Sequence, residues 1–328
     1  MNNNNRYSRQ ILVSQFGDTA QKKLQDARVL IVGAGGLGCT VATHLAGAGV
    51  GELILVDHDK VSISNLHRQI LFREDDLGRN KAELAKQALA KINSEIKLTS
   101  ISSRLSTDNV SKLCHNCDLV IDAADTFLVS FLLSDTCLEL NIPMLSASVN
   151  QTFGTVSGVC GGAPSLRAIF PRLPQQATSC DTVGVTGPSV GIIASVQAQE
   201  ALKLLIASNP TILGKIIHFD LWTMHTHQID FSSASEPTTG QINIINASDA
   251  VKAGKVLIDV RDSHEITSKP QTFAVDHHIP LASLQAGQHN LNTTDAIALC
   301  CQSGQRALIG AQSLLDQGVL STSAIAPC

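Results

Sequence analysis

The sequence predicts an α/β protein: a Rossmann-like, doubly wound and mostly parallel sheet, followed by a second, smaller α/β domain. Three observations predict this fold. A β-branched strand runs into a glycine-rich loop and a helix over residues 27–48. Strands and helices then alternate as far as residue 220, as in parallel sheets that are covered on both faces. The alternation resumes after residues 231–240, a Ser, Thr, Pro and Gly segment that cannot easily build a core.

Each element has a signal of its own. Short apolar runs rich in β-branched residues predict strands at residues 27–33, 52–57, 118–122, 142–147 and 216–220. Helical periodicity predicts helices at residues 37–48, 81–92 and 196–206. Beyond the polar segment, the pattern predicts strands at 256–260 and 296–300 and a helix at 306–315. We therefore predict one domain over residues 1–235 and another over residues 240–328.

Charge and hydropathy exclude two classes of partner. Lys and Arg total 24 against 28 acidic residues, a net charge of −4, and no segment concentrates the basic residues. We therefore expect no nucleic-acid partner and no membrane surface. The Asn-rich N-terminus lacks the apolar stretch of a signal peptide, and every later apolar run is interrupted before 18 residues. A cytoplasmic protein is expected.

The nine cysteines are expected to be thiols, because cytosolic reductants keep them reduced. Cys39, Cys137 and Cys160 lie among small apolar residues, which is typical of buried, inert thiols. Cys114 and Cys117 form a CxxC pair, which is half the ligand set of a zinc site. A structural role is favoured for this pair, with metal or redox use as the alternative.

A glycine-rich loop follows the first predicted strand, with glycines at Gly33, Gly35, Gly36 and Gly38. Such a loop lets backbone N–H groups approach a phosphate at the N-terminus of the next helix. Asp57 ends the next strand, 19 residues beyond Gly38, where a carboxylate can accept hydrogen bonds from ribose hydroxyls. Taken alone, this pattern indicates an NAD-dependent oxidoreductase.

The residues after Asp57 favour a triphosphate instead. A triphosphate needs its charge neutralised and its leaving pyrophosphate stabilised, and Arg68 and Lys81 suit that task. Asp125 follows a buried strand, so it is predicted to point into the ligand crevice, where a carboxylate beside phosphates implies Mg²⁺. The alternatives are a turn role for Asn65, surface charges at Arg68 and Lys81, and a helix N-cap at Asp125. Their joint order and spacing favour the nucleotide site.

Six motifs in this order resemble the ThiF/MoeB/HesA adenylyltransferases, relatives of the ubiquitin-activating enzymes. They span about residues 6–225: RYSRQ at 6–10, GAGGLG at 33–38, DHDKVSISNLHRQ at 57–69, GRNK at 78–81, DAAD at 122–125 and GVTGPSVGIIASVQAQEALK at 184–203. The resemblance implies ATP and Mg²⁺ as cofactors. It assigns the ribose to Asp57, the phosphates to Asn65, Arg68 and Lys81, and Mg²⁺ to Asp125.

The resemblance also implies a reaction and two kinds of partner. A carboxylate and ATP would give an acyl adenylate and pyrophosphate, on a homodimer in which Arg9 reaches the partner's nucleotide. The substrate implied is the C-terminus of a ubiquitin-like sulfur-carrier protein of the ThiS/MoaD type, for thiocarboxylate formation in thiamine or molybdopterin cofactor biosynthesis. Adenylation of a small peptide's C-terminus, an NAD-dependent oxidoreductase and a non-enzymatic nucleotide-binding scaffold are the alternatives.

The sequence departs from this family at the zinc ligands. Most such activators hold a structural zinc with two CxxC pairs, but Ser165 and Ala168 stand in the first pair, and residues 223–236 contain no cysteine. His225 and His227 fit one face of a strand. We therefore predict no zinc site. The sequence also departs from the family at Thr126, because Asn commonly follows the magnesium-binding aspartate.

Cys180 is retained in a polar, Gly-rich stretch, where the family's cysteine can form a covalent link with the carrier. An ordinary loop cysteine is the alternative for Cys180.

The second domain resembles rhodaneses in three motifs: VLIDVR at 256–261, HIP at 278–280 and CQSGQR at 301–306. Cys301 would lie over the N-terminus of the next helix, a site that favours a thiolate and can hold a persulfide. Structural roles are expected for Asp259 and Arg261, and a core position for Cys300. The resemblance implies sulfur transfer from Cys301, with a cysteine desulfurase as a possible donor. The usual closing Gly-Gly and Trp segment is absent, so a weakly active or purely structural module is the alternative.

Overall fold

The computed structural model describes residues 6–172, 184–269 and 271–326. These residues form two sheets, an eight-stranded sheet of order β3-β2-β1-β4-β5-β6-β7-β8 and a five-stranded sheet of order β11-β10-β12-β13-β9. The strands of the larger sheet are β1 Arg28–Val32, β2 Glu52–Val56, β3 Lys97–Ile101, β4 Leu119–Asp122, β5 Pro143–Asn150, β6 Phe153–Cys160, β7 Lys215–Asp220 and β8 His225–Asp230. Those of the smaller sheet are β9 Asn243–Ile245, β10 Val256–Asp259, β11 His277–His278, β12 Ala296–Cys300 and β13 Ser321–Ile325.

Helices connect and cover the strands of both sheets. Before and within the larger sheet these are α1 Ser8–Ile11, α2 Gly17–Asp26, α3 Gly36–Ala48, α4 Lys81–Ile92, α5 Val110–Cys114, α6 Phe127–Leu140, α7 Leu166–Ile169 and α8 Gly187–Leu205. Around the smaller sheet they are α9 Ala247–Lys252, α10 Ser263–Ser268, α11 Leu281–Gln285 and α12 Gln305–Asp316. Among the described helices, none has both the length and the apolar character needed to cross a bilayer.

The larger sheet confirms the predicted Rossmann-like, mostly parallel architecture. Strands β3, β2, β1, β4 and β5 are parallel, whereas β6, β7 and β8 extend the sheet in antiparallel pairing. The chain passes from β1 to β2 on one side and later to β4 on the other. The strand order therefore reverses at β1, and a crevice opens at the carboxyl ends of β1 and β4.

Several elements differ from the sequence prediction, which gave no strand at β3, β6, β8, β9, β11 or β13. Helix α8 begins at Gly187 rather than at residue 196, because the Thr186 hydroxyl accepts a hydrogen bond from the Ser189 N–H (3.3 Å) and Pro188 occupies the first turn. Strand β8 was not predicted, since every one of its residues is exposed and it lies at the edge of the sheet. A strand of this kind lacks the alternation of apolar and polar residues that reveals a half-buried strand.

The apolar core continues from the larger sheet into the smaller one. On one face of the larger sheet, buried side chains of α3, α4 and α8 pack against the strands. On the other face, Phe131 and Leu132 of α6 belong to the same buried cluster as Leu308 and Ala311 of α12. Because these side chains share one buried cluster, the smaller sheet packs against the α6 side of the larger one.

Candidate functional site

The glycine-rich loop lies at the carboxyl end of β1, and its backbone is in tight contact with neighbouring backbone. Gly33 has a φ of +97°, and a Cβ there would lie 2.5 Å from the carbonyl oxygen of Ala123. A Cβ on Gly38 would lie 1.8 Å from the carbonyl oxygen of Gly33. Glycine is therefore required at both positions. The Gly33 contact also fixes this loop against the segment that leads from β4 to Asp125.

The other two loop glycines differ in their surroundings. A Cβ on Gly36 would lie 2.7 Å from Val190 and 3.3 Å from the carbonyl oxygen of Arg68, so the loop and Arg68 are close neighbours. A Cβ on Gly35 would meet only the side chain of Gln69, at 4.0 Å. The fold leaves space beside Gly35, as a loop that admits a phosphate requires.

Asp57 braces the glycine-rich loop from the end of β2. Its side chain is 8% exposed, and its two oxygens accept hydrogen bonds from the backbone N–H groups of Ala34 and Asp59, each at 2.7 Å. A carboxylate has about four lone-pair positions, so capacity remains for ribose hydroxyls. The structure thus adds a bracing role to the ribose role that the sequence predicts.

Lys81 is buried beside the same loop. It is the first residue of α4, whose N-cap residue Asn80 accepts a hydrogen bond from the Glu83 N–H at 3.1 Å. The Lys81 ammonium lies 3.0 Å from a carboxylate oxygen of Asp59 and is only 6% exposed. The alternative of a solvated surface charge is wrong for Lys81.

Asp59 was overlooked as a functional residue, although its DxD spacing from Asp57 was visible in the sequence. Burial opposes the ionisation of Asp59, but the neighbouring Lys81 ammonium holds its pKa below the usual value. His58 lies 3.1 Å from its other oxygen. The ligand atoms of Asp57, His58 and Asp59 lie within 4.8 Å of one another. Within the part of the chain that the structure describes, these three side chains could therefore bind one metal ion together.

Arg68 is half-buried beside the glycine-rich loop. Its guanidinium donates a hydrogen bond to the carbonyl oxygen of Ser64 at 2.9 Å and lies 2.8 Å from the His67 ring. Asn65 closes a short 3-10 helix, where its side-chain oxygen accepts a hydrogen bond from the Ser62 N–H at 3.3 Å. Asn65 therefore has a turn role, and its hydrogen bond to Ser62 holds the segment that carries Arg68.

The β4 carboxyl end presents two aspartates with different environments. Asp122 is buried, and its carboxylate accepts hydrogen bonds from the Ser146 hydroxyl at 2.7 Å and the Ala124 N–H at 3.2 Å. Burial raises the pKa of Asp122. Asp125 is exposed, and the N-cap of α6 is Thr126, so the alternative of an N-cap at Asp125 is wrong. An exposed carboxylate at this edge is of the kind that Mg²⁺ prefers.

Gln197 of α8 is a site-supporting residue that sequence reasoning did not single out. Its buried side-chain amide donates hydrogen bonds to the carbonyl oxygens of Asp122 and Leu145, both at 3.0 Å. It therefore holds the ends of β4 and β5 together behind the site. The hydrogen bonds join residues at least 52 positions apart, and no local sequence pattern reveals them.

Arg9 lies outside this cluster of contacts, on the short helix α1. Tyr7 anchors that helix: its ring is buried against Gly49, and its hydroxyl accepts a hydrogen bond from the Asn93 side chain at 2.8 Å. Arg9 itself is exposed. The anchoring fixes where α1 begins and leaves the Arg9 guanidinium in solvent.

Residues 7–241 match the ThiF family. The chain belongs to the ThiF family.

Several relatives align over 66–77% of this ThiF-family chain. "Adenylyltransferase and sulfurtransferase MOCS3" of Caenorhabditis briggsae is 41% identical over 219 residues, which cover 66% of this chain and 54% of that protein. "Molybdopterin-synthase adenylyltransferase" of Salmonella typhimurium is 40% identical over 220 residues, which cover 66% of this chain and 88% of that protein. "SAMP-activating enzyme E1" of Haloferax volcanii is 33% identical over 259 residues, which cover 77% of this chain and 96% of that protein. The chain spans about half the length of the MOCS3 relatives it matches.

Solved structures show the same fold. The crystal structure of E. coli MccB with MccA-N7isoASN matches with a TM-score of 0.64 and 28% identity, over 70% of this chain and 73% of that one. The crystal structure of E. coli MccB with ATP matches with a TM-score of 0.61 and 28% identity, over 70% of this chain and 72% of that one.

Ser165 stands at the first position where the resemblance predicts a zinc ligand, and it makes a hydrogen-bonded contact there. The Ser165 N–H and hydroxyl donate to the two carboxylate oxygens of Glu236, at 2.7 and 2.5 Å. Arg167 pairs with Asp135 through two hydrogen bonds of 2.6 and 2.7 Å. His225 and His227 are exposed on β8.

The CxxC cysteines lie in the apolar core. Cys114 and Cys117 are buried in the cluster that also holds Cys137 and Cys160. Burial raises the pKa of Cys117 and of Cys160 to about 12. Thiols of this kind are poor nucleophiles at neutral pH. Cys180, the predicted linking cysteine, lies outside the described residues.

The second candidate site follows β12. Cys301 begins the loop over residues 301–306, whose last two residues already belong to α12. Cys301 is 5% exposed, and Gly304 adopts a φ of +79° where the helix begins. Arg306, the one basic residue of this loop, pairs with Glu265 through two hydrogen bonds of 2.6 Å. Those hydrogen bonds lower the pKa of Glu265 to about 2. The guanidinium is thus paired with a protein carboxylate.

Two further residues of the rhodanese-like motifs are structural in their contacts. Asp259 and Arg261 form a buried ion pair at 2.6 Å, and Arg261 also donates to the carbonyl oxygen of Lys269 at 2.7 Å. Cys300 is buried, and burial raises its pKa to about 12.

Proposed function

We propose that this ThiF-family chain is an ATP- and Mg²⁺-dependent adenylyltransferase that activates the C-terminal carboxylate of a ubiquitin-like sulfur-carrier protein of the ThiS/MoaD type. The relatives' names support this activity and this class of substrate. The observation that carries the proposal is the arrangement around the glycine-rich loop. A buried cation, Lys81, pairs with Asp59, the neighbouring Asp57 carboxylate braces the loop, and the segment leading to Asp125 packs on Gly33.

This arrangement suits adenylation better than hydride transfer. A carboxylate oxygen of the carrier attacks the α-phosphorus of ATP, the bond to the bridging oxygen breaks, and pyrophosphate leaves with its negative charge. Lys81, Arg68 and Asn65 would bind the phosphates, and Asp57 the ribose. Asp125 would hold Mg²⁺, which when bound neutralises phosphate charge.

The active unit is proposed to be a homodimer in which the exposed Arg9 reaches the partner's nucleotide. An exposed arginine on an anchored helix suits a contact with a second copy. We assign residues 1–235 to the adenylyltransferase domain and residues 240–328 to a rhodanese-like domain.

Sulfur transfer is proposed for the second domain. A persulfide on Cys301, loaded from a donor such as a cysteine desulfurase, would attack the adenylate carbonyl and expel AMP, leaving the carrier linked to Cys301 through a disulfide bond. A second thiol, for which Cys180 is the candidate, would cleave that bond, releasing the thiocarboxylate and forming a protein disulfide. Because Cys301 is 5% exposed, residues 301–304, which precede α12, have to open for this reaction. Thiamine or molybdopterin cofactor biosynthesis is the proposed setting.

A peptide substrate is the second candidate. It is favoured by the match to MccB structures determined with MccA, and by Ser165 and Ala168 in place of zinc ligands. ATP–pyrophosphate exchange decides between the substrates: the protein is assayed with a ThiS-type carrier, a MoaD-type carrier and a short peptide. We expect exchange with a carrier. Exchange with the peptide alone would favour the second candidate, and no exchange with any of the three would overturn adenylation.

A further inference from the structure

Gln305 connects the two candidate sites of the chain. It is the first residue of α12, at the end of the loop that Cys301 begins, and its side-chain oxygen accepts a hydrogen bond from the backbone N–H of Phe127 at 3.0 Å. Phe127 is the first residue of α6, two positions after Asp125. The hydrogen bond therefore joins the loop of the candidate sulfur site to the segment of the candidate Mg²⁺ residue, across 178 positions of sequence.

This hydrogen bond gives the α6 N-terminus an acceptor that its own N-cap side chain does not provide. The first N–H groups of a helix have no partner within the helix, and an N-cap side chain normally accepts from one of them. The N-cap residue here, Thr126, makes no side-chain capping bond. Gln305 provides an acceptor for the first of these N–H groups from the other sheet.

Both ends of the contact are held in place. On the α6 side, Leu128 and Phe131 are buried in the core cluster that both sheets share. On the α12 side, Ala307 and Leu308 are buried in that same cluster, and Arg306 is fixed by Glu265. Because neither helix end can shift without disturbing buried packing, the Gln305 side chain has a defined target.

We propose that Gln305 is a positioning residue for Asp125: by capping α6 from the second sheet, it orders the segment that presents the Mg²⁺ carboxylate to ATP. This inference rests on the proposed adenylation. It makes the loop over residues 301–306 part of the support of the adenylation site, so that the two proposed activities share one structural contact.

The test compares three variants. Gln305→Leu keeps the approximate volume of the side chain but removes the acceptor, whereas Gln305→Glu keeps an acceptor and adds a negative charge that a helix N-terminus favours. Gln285→Leu is the matched control, since Gln285 is an exposed glutamine at the end of α11. Thermal midpoints of all three establish that the proteins are folded.

Two readouts are measured on the full-length protein. Hydrogen exchange of the Phe127 amide should accelerate in Gln305→Leu and stay at the wild-type rate in Gln305→Glu and Gln285→Leu. In pyrophosphate exchange, the Mg²⁺ concentration for half-maximal rate should rise roughly three- to tenfold in Gln305→Leu, the size expected for loss of a helix cap. Gln305→Glu and Gln285→Leu should stay within about twofold of wild type.

The outcomes separate this inference from the proposed function. Unchanged exchange of the Phe127 amide in Gln305→Leu, or faster exchange with an unchanged Mg²⁺ requirement, would overturn the positioning role while adenylation stands. A Gln305→Glu protein as impaired as Gln305→Leu would overturn it as well. A wild-type protein without pyrophosphate exchange on any carrier or peptide would overturn the proposed function itself, and the positioning role with it.

Discussion

Ser165 holds Glu236 through two hydrogen bonds, one from its backbone N–H at 2.7 Å and one from its hydroxyl at 2.5 Å. The same hydroxyl also accepts a hydrogen bond from the Arg167 N–H at 3.1 Å and so caps α7. Glu236 lies in the Ser, Thr, Pro and Gly segment between the two sheets. The contact therefore ties that segment to the larger sheet.

We expect Ser165→Ala to lower the free energy of unfolding by about 1–3 kcal/mol, because it removes the cap of α7 and leaves part of a carboxylate without its partner. Urea denaturation measures the change. The exposed Ser148→Ala, on β5, is the control and should stay within about 0.5 kcal/mol of wild type. A Ser165→Ala protein as stable as this control would show that the contact with Glu236 contributes nothing.

Asp125→Ala should abolish carrier-dependent pyrophosphate exchange, with a loss of roughly a hundredfold or more, because no carboxylate then supports Mg²⁺ beside the phosphates. The folded state is checked by circular dichroism, and Asp135→Ala, a carboxylate of α6 that pairs with Arg167 away from the loop, serves for comparison. Near-normal exchange in folded Asp125→Ala protein would contradict the assignment.

Much of the larger sheet could be predicted because its signals are local. Helix α4 begins at Lys81 as predicted, since Asn80 is a side chain that caps a helix, and the Gly33 turn follows from a glycine that no other residue can replace. Gln305 was missed for the opposite reason. Its partner lies 178 positions away, and only the folded chain brings the two together.

The homodimer hypothesis predicts complementation between inactive variants. Arg9→Ala should lose most of its exchange activity, because the exposed guanidinium is proposed to act on the partner's nucleotide. After subunit exchange, a mixture of Arg9→Ala and Asp125→Ala proteins should recover up to about a quarter of wild-type activity, since a mixed dimer assembles one intact site. Activity that stays at the level of the separate variants would argue against an Arg9 contact in trans.

The Arg306–Glu265 pair predicts an acid-dependent stability of the second sheet. The hydrogen bonds from Arg306 lower the pKa of Glu265 from 4.5 to about 2, so the folded state binds this proton less readily than the unfolded state. The stabilisation is therefore full above about pH 4.5 and is lost as the pH falls towards about 2. After allowance for solvent screening we expect about 1 kcal/mol. Glu265→Gln should unfold with a weaker pH dependence in this range, and an identical dependence would contradict the assignment.

The last prediction separates sulfur transfer from adenylation. Cys301→Ala should block thiocarboxylate formation, because the proposed persulfide has no other sulfur to form on in the loop over residues 301–306. It should leave pyrophosphate exchange within about twofold of wild type, since the substitution removes one thiol and keeps the Gln305 contact with α6. Mass spectrometry after loading from thiosulfate or a cysteine desulfurase, on wild type and variant, measures sulfur at Cys301, and the exchange assay on the same samples measures adenylation. A wild-type chain that gains no sulfur at Cys301 would leave the second sheet with a docking or structural role, and the sulfur would then come from another protein. A Cys301→Ala chain that still forms thiocarboxylate would move the sulfur-bearing role to another thiol, with Cys180 as the first candidate.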